Sequence, residues 1–128
     1  MRKSVKVRII IFDILIEIHQ KNKNFDESFF YKTQNLKLND QDSSMIHNVV
    51  LNSIRNNLFI NDILNKFLQK KTSLKIRILL LCAITQILYL DFKDYAVTND
   101  TVEVAKLKKL NPSLINSLLK NAMGSYIL

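Results

Sequence analysis

The sequence predicts an all-α protein, built as a single compact bundle of about seven helices. Apolar residues recur at intervals of three and four positions along most of the 128-residue chain, which is the period of helices with one buried face. The chain has one Gly and one Pro, too few for the many turns of a sheet protein. Because no linker or internal repeat interrupts this pattern, we expect residues 1–128 to form one domain.

The first two helices are predicted over residues 4–21 and from Asn24 to about Leu36. In the first helix, the positions that share one face are Val7, Ile11, Ile14, Leu15 and Ile18. Asn24, followed three residues later by Glu27, is the capping pair that typically opens a helix. The second helix should turn three aromatic residues toward the core, namely Phe25, Phe29 and Phe30.

The third helix is predicted to begin after Asn39, and the fourth to end before the polar segment 69–73. The inner positions of the third helix are Ile46, Val49, Val50, Ile54 and Leu58. Those of the fourth helix are Ile60, Ile63, Leu64, Phe67 and Leu68. Both patterns indicate amphipathic helices with one face in the core.

The fifth helix is predicted over residues 74–90, and it is apolar nearly all round from Ile78 onward. That pattern is typical of a central helix that its neighbours cover on every side. A buried strand is the competing interpretation, but the segment exceeds the roughly four to eight residues of such a strand.

The last two helices are predicted from their starting residues. Asp94 is the expected N-cap of a sixth helix, 95–109, whose inner positions are Val97, Thr101, Val104 and Ala105. The Asn-Pro pair at 111–112 indicates the start of a seventh helix over 112–123. Gly124 is the expected C-terminal cap of that helix.

Positive charge is the main compositional indication of function. The chain has 19 Lys and Arg residues against 11 Asp and Glu residues, a formal net charge of +8, which suits a polyanionic partner. An AT-rich coding sequence would also produce this Lys-, Asn- and Ile-rich composition, so charge alone leaves both explanations open. The cations without acidic neighbours in the sequence form three groups: residues 2–8; Lys66, Lys70, Lys71, Lys75 and Arg77; and Lys106, Lys108, Lys109 and Lys120.

The first of these groups lies at the N-terminus of the predicted first helix and consists of Arg2, Lys3, Lys6 and Arg8. Cations at that end of a helix oppose its macrodipole. An external anion therefore explains their placement better than helix stability does. A frayed, solvated basic tail is the alternative.

No constellation of catalytic residues can be identified in the sequence. One glycine cannot form a phosphate-binding loop or a dinucleotide fingerprint, since these need several positions without a Cβ. Asp13 and Glu17 have the spacing of an acid–base pair, but Glu17 also has Lys21 four residues on, as in an exposed ion pair. The side chains that a metal site would need are few and scattered: His19, His47 and Cys82. We predict a protein without enzymatic activity, cofactor or metal ion.

The expected location is the cytoplasm, away from membranes. A single cysteine, Cys82, cannot form an internal disulfide, which is typical of a reducing compartment. The basic and then apolar N-terminus is not a signal peptide, because Asp13 interrupts the apolar run and no small-residue cleavage site follows. The apolar segment 78–90 is shorter than the roughly 18 to 20 residues of a membrane span.

Three segments in the second half of the chain resemble the NusB-like family. They are IRILLLCAITQILYLD (76–91), DYAVTNDTVEVAK (94–106) and LINSLLKNA (114–122). The positions that match the family pattern are Tyr89, Asn99, Val102, Glu103, Ala105, Lys106, Asn116 and Leu119. VRIIIFDILIEI (7–18) is similar to the family's first helix, so the resemblance covers nearly the whole chain.

The resemblance implies a bundle of about seven helices that binds RNA without enzymatic activity of its own. It also implies contact with a boxA-type RNA in company with ribosomal protein NusE. The RNA contacts that it implies at the first helix are Lys3, Lys6 and Arg8, beside Arg2, and those in the C-terminal helices are Lys106, Lys109, Asn116 and Lys120.

Two alternatives remain open at this point. Residues 38–68 and the DYAV segment at 94–97 look closer to the N-terminal domain of RsmB-type 16S rRNA 5-methylcytosine methyltransferases, in which case the RNA is 16S rRNA rather than a ribosomal RNA leader. The second alternative is a protein-interaction module, in which an exposed apolar helix face binds a ribosomal protein or a second copy of the chain.

Overall fold

The computed structural model describes residues 1–124, and in this range the chain forms seven helices and no strand. The helices are α1 (Lys3–Lys21), α2 (Phe25–Thr33), α3 (Asp40–Arg55), α4 (Asn57–Asn65), α5 (Leu74–Tyr89), α6 (Asp94–Leu107) and α7 (Pro112–Ala122). The predicted all-α class and the seven helices are confirmed. Residues 125–128 lie outside the described residues, and a single domain over 1–128 stays a prediction.

α5 is the central helix of the bundle. It packs against α1, α3, α4, α6 and α7, and every residue from Ile78 to Gln86 is buried. This confirms the prediction of a helix covered on all sides. Each fully buried Leu or Ile side chain contributes about 1.5 to 3 kcal/mol of hydrophobic free energy, so the five buried Leu and Ile residues of α5 are a major source of core stability. No helix in residues 1–124 combines the length and apolar character of a membrane span.

Asparagine side chains cap three of the helices, as their positions in the sequence predict. The side-chain oxygens of Asn24, Asn39 and Asn111 accept hydrogen bonds from the backbone N–H three residues on, at 2.8, 2.7 and 3.1 Å. Each bond satisfies a backbone donor that has no partner within the helix, and such a cap typically contributes about 1 kcal/mol. The starts of α2, α3 and α7 are therefore encoded locally.

Two of the predicted caps are wrong. The N-cap of α6 is Lys93, and Asp94 is already helical, with its carboxylate accepting the backbone N–H of Tyr95 at 2.7 Å. The C-cap of α7 is Met123 in the right-handed region, and Gly124 lacks the positive φ that a C-terminal glycine cap adopts. Both errors are shifts of one residue at a helix end, where the neighbouring residue takes the cap position.

Most of the predicted inner residues are buried or half-buried, but three are exposed. Phe30 is 59% exposed, Ile54 41% and Leu58 82%. α3 ends at Arg55 and α4 begins at Asn57, so Leu58 belongs to α4 and lies on its outer face. The three- and four-residue spacing of apolar residues therefore continues from α3 into α4, and the spacing alone does not show that one helix ends and another begins there.

Glu17 joins α1 to α2, and its predicted exposed pairing with Lys21 is wrong. The residue is only 8% exposed, and its Oε1 accepts a hydrogen bond from the Ser28 hydroxyl at 2.8 Å. Lys23 and Lys32 place their amines 3.3 and 3.7 Å from the same carboxylate. The Ser28 hydrogen bond lowers the pKa of Glu17, burial opposes the shift, and the two lysines add to it.

This arrangement predicts a loss of stability in acid. Because the pKa of Glu17 is lower in the folded than in the unfolded state, its contribution is present above the unfolded pKa, about 4.5, and is lost as pH falls through the folded pKa. We expect the free energy of unfolding to fall more steeply below about pH 4.5 in the wild type than in Glu17→Gln. Urea denaturation at a series of pH values measures this, and parallel curves for the two proteins would refute it.

Candidate functional site

Most of the predicted contact residues lie beside two surfaces that flank the start of α1. On one side, three adjoining clefts of about 490, 410 and 420 Å³ share Asn99 as a lining residue. We call this surface the α6 groove. The polar residues that line it are Arg2, Ser4, Arg8, Asp94, Tyr95, Thr98, Asn99, Asp100, Glu103, Lys106, Ser113, Asn116 and Lys120.

The groove exists because α6 and α7 pack together by their apolar faces. On α6, Tyr95, Asn99 and Lys106 lie at helical spacing on the side away from buried Val104. On α7, Asn116 and Lys120 are one turn apart and line the same groove. Three of the predicted C-terminal contacts, Lys106, Asn116 and Lys120, are thereby brought together with Arg2.

Arg8 is a buried connector rather than an exposed cation. Its side chain is 10% exposed, and its guanidinium donates to Gln86 Oε1 at 2.9 Å, to Asp100 Oδ2 at 3.0 Å and to the Ser4 carbonyl at 3.2 Å. Burial lowers the pKa of Arg8 and the charge of Asp100 opposes that shift, but an arginine remains protonated in either case. Arg8 thus fixes the start of α1 to α5 and α6.

Several cations that have no acidic neighbour in the sequence have one in the structure. Arg2 pairs with Asp100 at 2.9 Å, and Lys108 pairs with Asp13 at 2.6 Å. Lys106 pairs with Glu103 at 3.2 Å, an acid that is only three residues away in the sequence. The expectation of acid-free clusters at residues 2–8 and 106–120 is therefore wrong. The Arg2 and Lys106 side chains are nevertheless 61% and 57% exposed, and exposed ion pairs contribute only about 0 to 1 kcal/mol. A phosphate group can therefore replace Asp100 as the partner of Arg2, or Glu103 as the partner of Lys106.

Lys3 and Lys6 lie on the other side of α1. They line a cleft of about 380 Å³ together with Lys37 and Asp42, and the Lys3 amine is 3.0 Å from the Asp42 carboxylate. Lys109 is exposed in the turn that connects α6 to α7 and has a φ of 58°. The eight predicted contact residues therefore do not form one continuous patch.

The groove also contains residues that were not predicted as contacts. Tyr95 and Asn99 are exposed, and the Thr98 hydroxyl is buried without a hydrogen-bond partner among residues 1–124. A buried polar atom without a partner is uncommon in proteins. The signal that could have found Tyr95 and Asn99 is the polar face of α6, on which they share a side with Lys106.

The side chains that line the groove are suited to binding a ligand through hydrogen bonds and charge. Its amide side chains donate and accept hydrogen bonds, and its cations suit phosphate oxygens. Cys82 is buried in α5, and burial raises its pKa to about 12, so the thiol stays protonated at neutral pH. Residues 1–124 hold no group of three or more His, Cys, Asp or Glu side chains that could bind a metal ion.

A family model described as "NusB family" matches residues 5–124. This chain belongs to the NusB family. The fold agrees with a crystal structure of the antitermination factors NusB and NusE in complex with dsRNA, with a TM-score of 0.84 at 22% identity. The match covers 98% of this chain and 99% of the other. No curated protein matches the chain. The resemblance to the NusB family that the sequence indicates is thereby confirmed.

Proposed function

We propose that this NusB-family chain is a non-catalytic RNA-binding protein of transcription antitermination, and that it acts on ribosomal RNA in the cytoplasm together with ribosomal protein NusE. Membership of the family supports this function, and so does the shared fold with an antitermination factor whose crystal structure contains NusE and dsRNA. A role as the accessory domain of a 16S rRNA methyltransferase is the alternative for the same RNA-binding surface.

The observation that carries the proposal is the convergence of Arg2, Lys106, Asn116 and Lys120 on the α6 groove. Arg2 precedes α1, Lys106 belongs to α6, and Asn116 and Lys120 belong to α7, so the side chains come together only in the folded bundle. In this proposal, the amines of Lys106 and Lys120 contact phosphates, while Asn99 and Asn116 bind sugar or base edges. Arg8 acts by positioning α1 and therefore Arg2.

The test is the binding of Lys106→Ala/Lys120→Ala to a labelled ribosomal leader RNA over a series of salt concentrations. Each phosphate contact on single-stranded RNA contributes about 0.7 to the slope of log affinity against log salt. We expect the slope to fall by about 1.4 and the affinity at 0.1 M salt to fall roughly 25-fold, which is the product of two such contacts. Fluorescence anisotropy measures both quantities.

The matched control is Lys21→Ala/Arg55→Ala, which removes the same charge from exposed positions away from the groove. It separates specific contacts from the effect of net charge. Equal affinities for the groove variant and this control would contradict the α6 groove as the RNA interface.

A second candidate function, protein binding, is favoured by an exposed apolar surface that we call the α3–α4 patch. Its members are exposed and lie at the end of α3 and the start of α4: Leu51, Ile54, Leu58 and Phe59. Exposed apolar residues that cluster are typical of protein interfaces. On this interpretation NusE or a second copy of the chain occupies the patch, and the resulting complex is nearly insensitive to salt, unlike one held by phosphate contacts.

A further inference from the structure

A second group of cations lies at the turn between α4 and α5, apart from the α6 groove. We call it the turn cluster, and its members are Lys66, Lys70, Lys71, Lys75 and Arg77. Residues 63–90, which contain the cluster, include no Asp or Glu. Positive charge is therefore dense along this segment, and the nearest acids in the sequence are Asp62, one helical turn before Lys66, and Asp91.

The fold gathers these side chains into a small region. α4 ends at Asn65 and α5 begins at Leu74, and the Arg77 guanidinium donates to Asn65 Oδ1 at 3.0 Å, which ties the two helix ends together. Within the connecting segment, the Thr72 N–H donates to the Gln69 carbonyl at 3.0 Å and closes a turn. The lysines of the cluster are all exposed around this turn.

The electrostatic setting differs from that of the α6 groove. Arg2 and Lys106 in the groove have carboxylate partners, whereas in residues 1–124 no ion pair is formed by Lys70, Lys71 or Lys75. The first turn of α5 has no acidic residue either, so the partial positive charge of that helix end adds to the field. The charges of Lys70, Lys71 and Lys75 are therefore available to an external anion.

We propose that the turn cluster is a second phosphate-contact surface, which binds the continuation of an RNA strand held in the α6 groove. This inference rests on the proposed RNA-binding function. From Ser73 at the start of α5 to Gln86, which binds Arg8 beside the groove, the helix axis runs about 20 Å at a rise of about 1.5 Å per residue. Because α5 is buried, a strand must pass over the surface, and at about 3.4 Å per nucleotide it needs at least roughly six nucleotides to reach from one surface to the other.

The dependence on RNA length provides the test. Lys70→Ala/Lys71→Ala is compared with the wild type on single-stranded RNAs of about 16 and about 5 nucleotides, of which only the longer spans both surfaces. We expect the variant to bind the longer RNA roughly 25-fold more weakly at 0.1 M salt, with a salt slope lower by about 1.4. Its affinity for the shorter RNA should equal that of the wild type.

Lys21→Ala/Arg55→Ala again serves as the charge-matched control, and circular dichroism checks that the helical content is unchanged. If only Lys106→Ala/Lys120→Ala weakens binding and Lys70→Ala/Lys71→Ala behaves like the control, the turn cluster does not contact RNA. The proposed function then stands and this inference is refuted. If only the turn variant weakens binding of the longer RNA, the proposed continuation from the α6 groove is overturned, because the turn cluster then binds RNA without the groove. If both variants bind like the control, neither surface contacts RNA.

Discussion

Replacing Asp100 with alanine is expected to lower the free energy of unfolding by about 3 kcal/mol, a large share of the total stability of a small domain. The carboxylate is 5% exposed and binds two guanidinium groups, those of Arg2 at 2.9 Å and Arg8 at 3.0 Å. Its removal leaves the Arg8 charge buried with a weaker set of partners. The Gln86 and Ser4 oxygens remain, which places the expected loss at the lower end of the range for broken buried pairs.

Urea denaturation measures the loss, and a double-mutant cycle identifies its cause. Arg8→Met removes the buried charge, so Asp100→Ala made in that background should cost clearly less than it does alone. Exposed Arg2 contributes little to this difference, because a surface partner is readily replaced by water. A loss for Asp100→Ala that is the same in both backgrounds would contradict the role of Asp100 as the counter-ion of Arg8.

The helices could be predicted from the sequence because their causes are local. The spacing of apolar residues marks the buried face of each helix. Each cap, at Asn24, Asn39 and Asn111, is a hydrogen bond between residues only three positions apart in the sequence. Helix ends without such a cap were predicted less well. α2 ends at Thr33, before the expected Leu36, since no residue there gives a local stop signal.

The candidate site could be predicted only in part. Lys106, Asn116 and Lys120 were found through the resemblance to the NusB family, and the structure places them on one groove. The position of Arg8 could not be predicted, because its partners Gln86 and Asp100 lie 78 and 92 residues away in the sequence. A sequence shows which cations lack acidic neighbours along the chain. Only the fold shows which acids pair with them, as Asp100 pairs with Arg2 and Arg8.

Burial differs sharply between two leucines that both fit the apolar period, and their replacement by alanine should therefore have very different effects. Leu80 in α5 is fully buried, whereas Leu58 in α4 is 82% exposed. Leu80→Ala is expected to lower the free energy of unfolding by about 3 to 4 kcal/mol, because it removes buried methyl groups and leaves a cavity among closely packed neighbours. Helix propensity does not contribute to this loss, since alanine is the better helix former.

Leu58→Ala is the matched control and should change the free energy of unfolding by no more than about 0.5 kcal/mol, as is usual at exposed positions. Urea midpoints with an unchanged denaturant slope measure both effects on the same scale. Equal losses for the two variants would mean that α5 is not the centre of the bundle. A stable Leu58→Ala protein is also the reagent that tests the α3–α4 patch, because any weakening of NusE binding by this variant cannot then be attributed to unfolding.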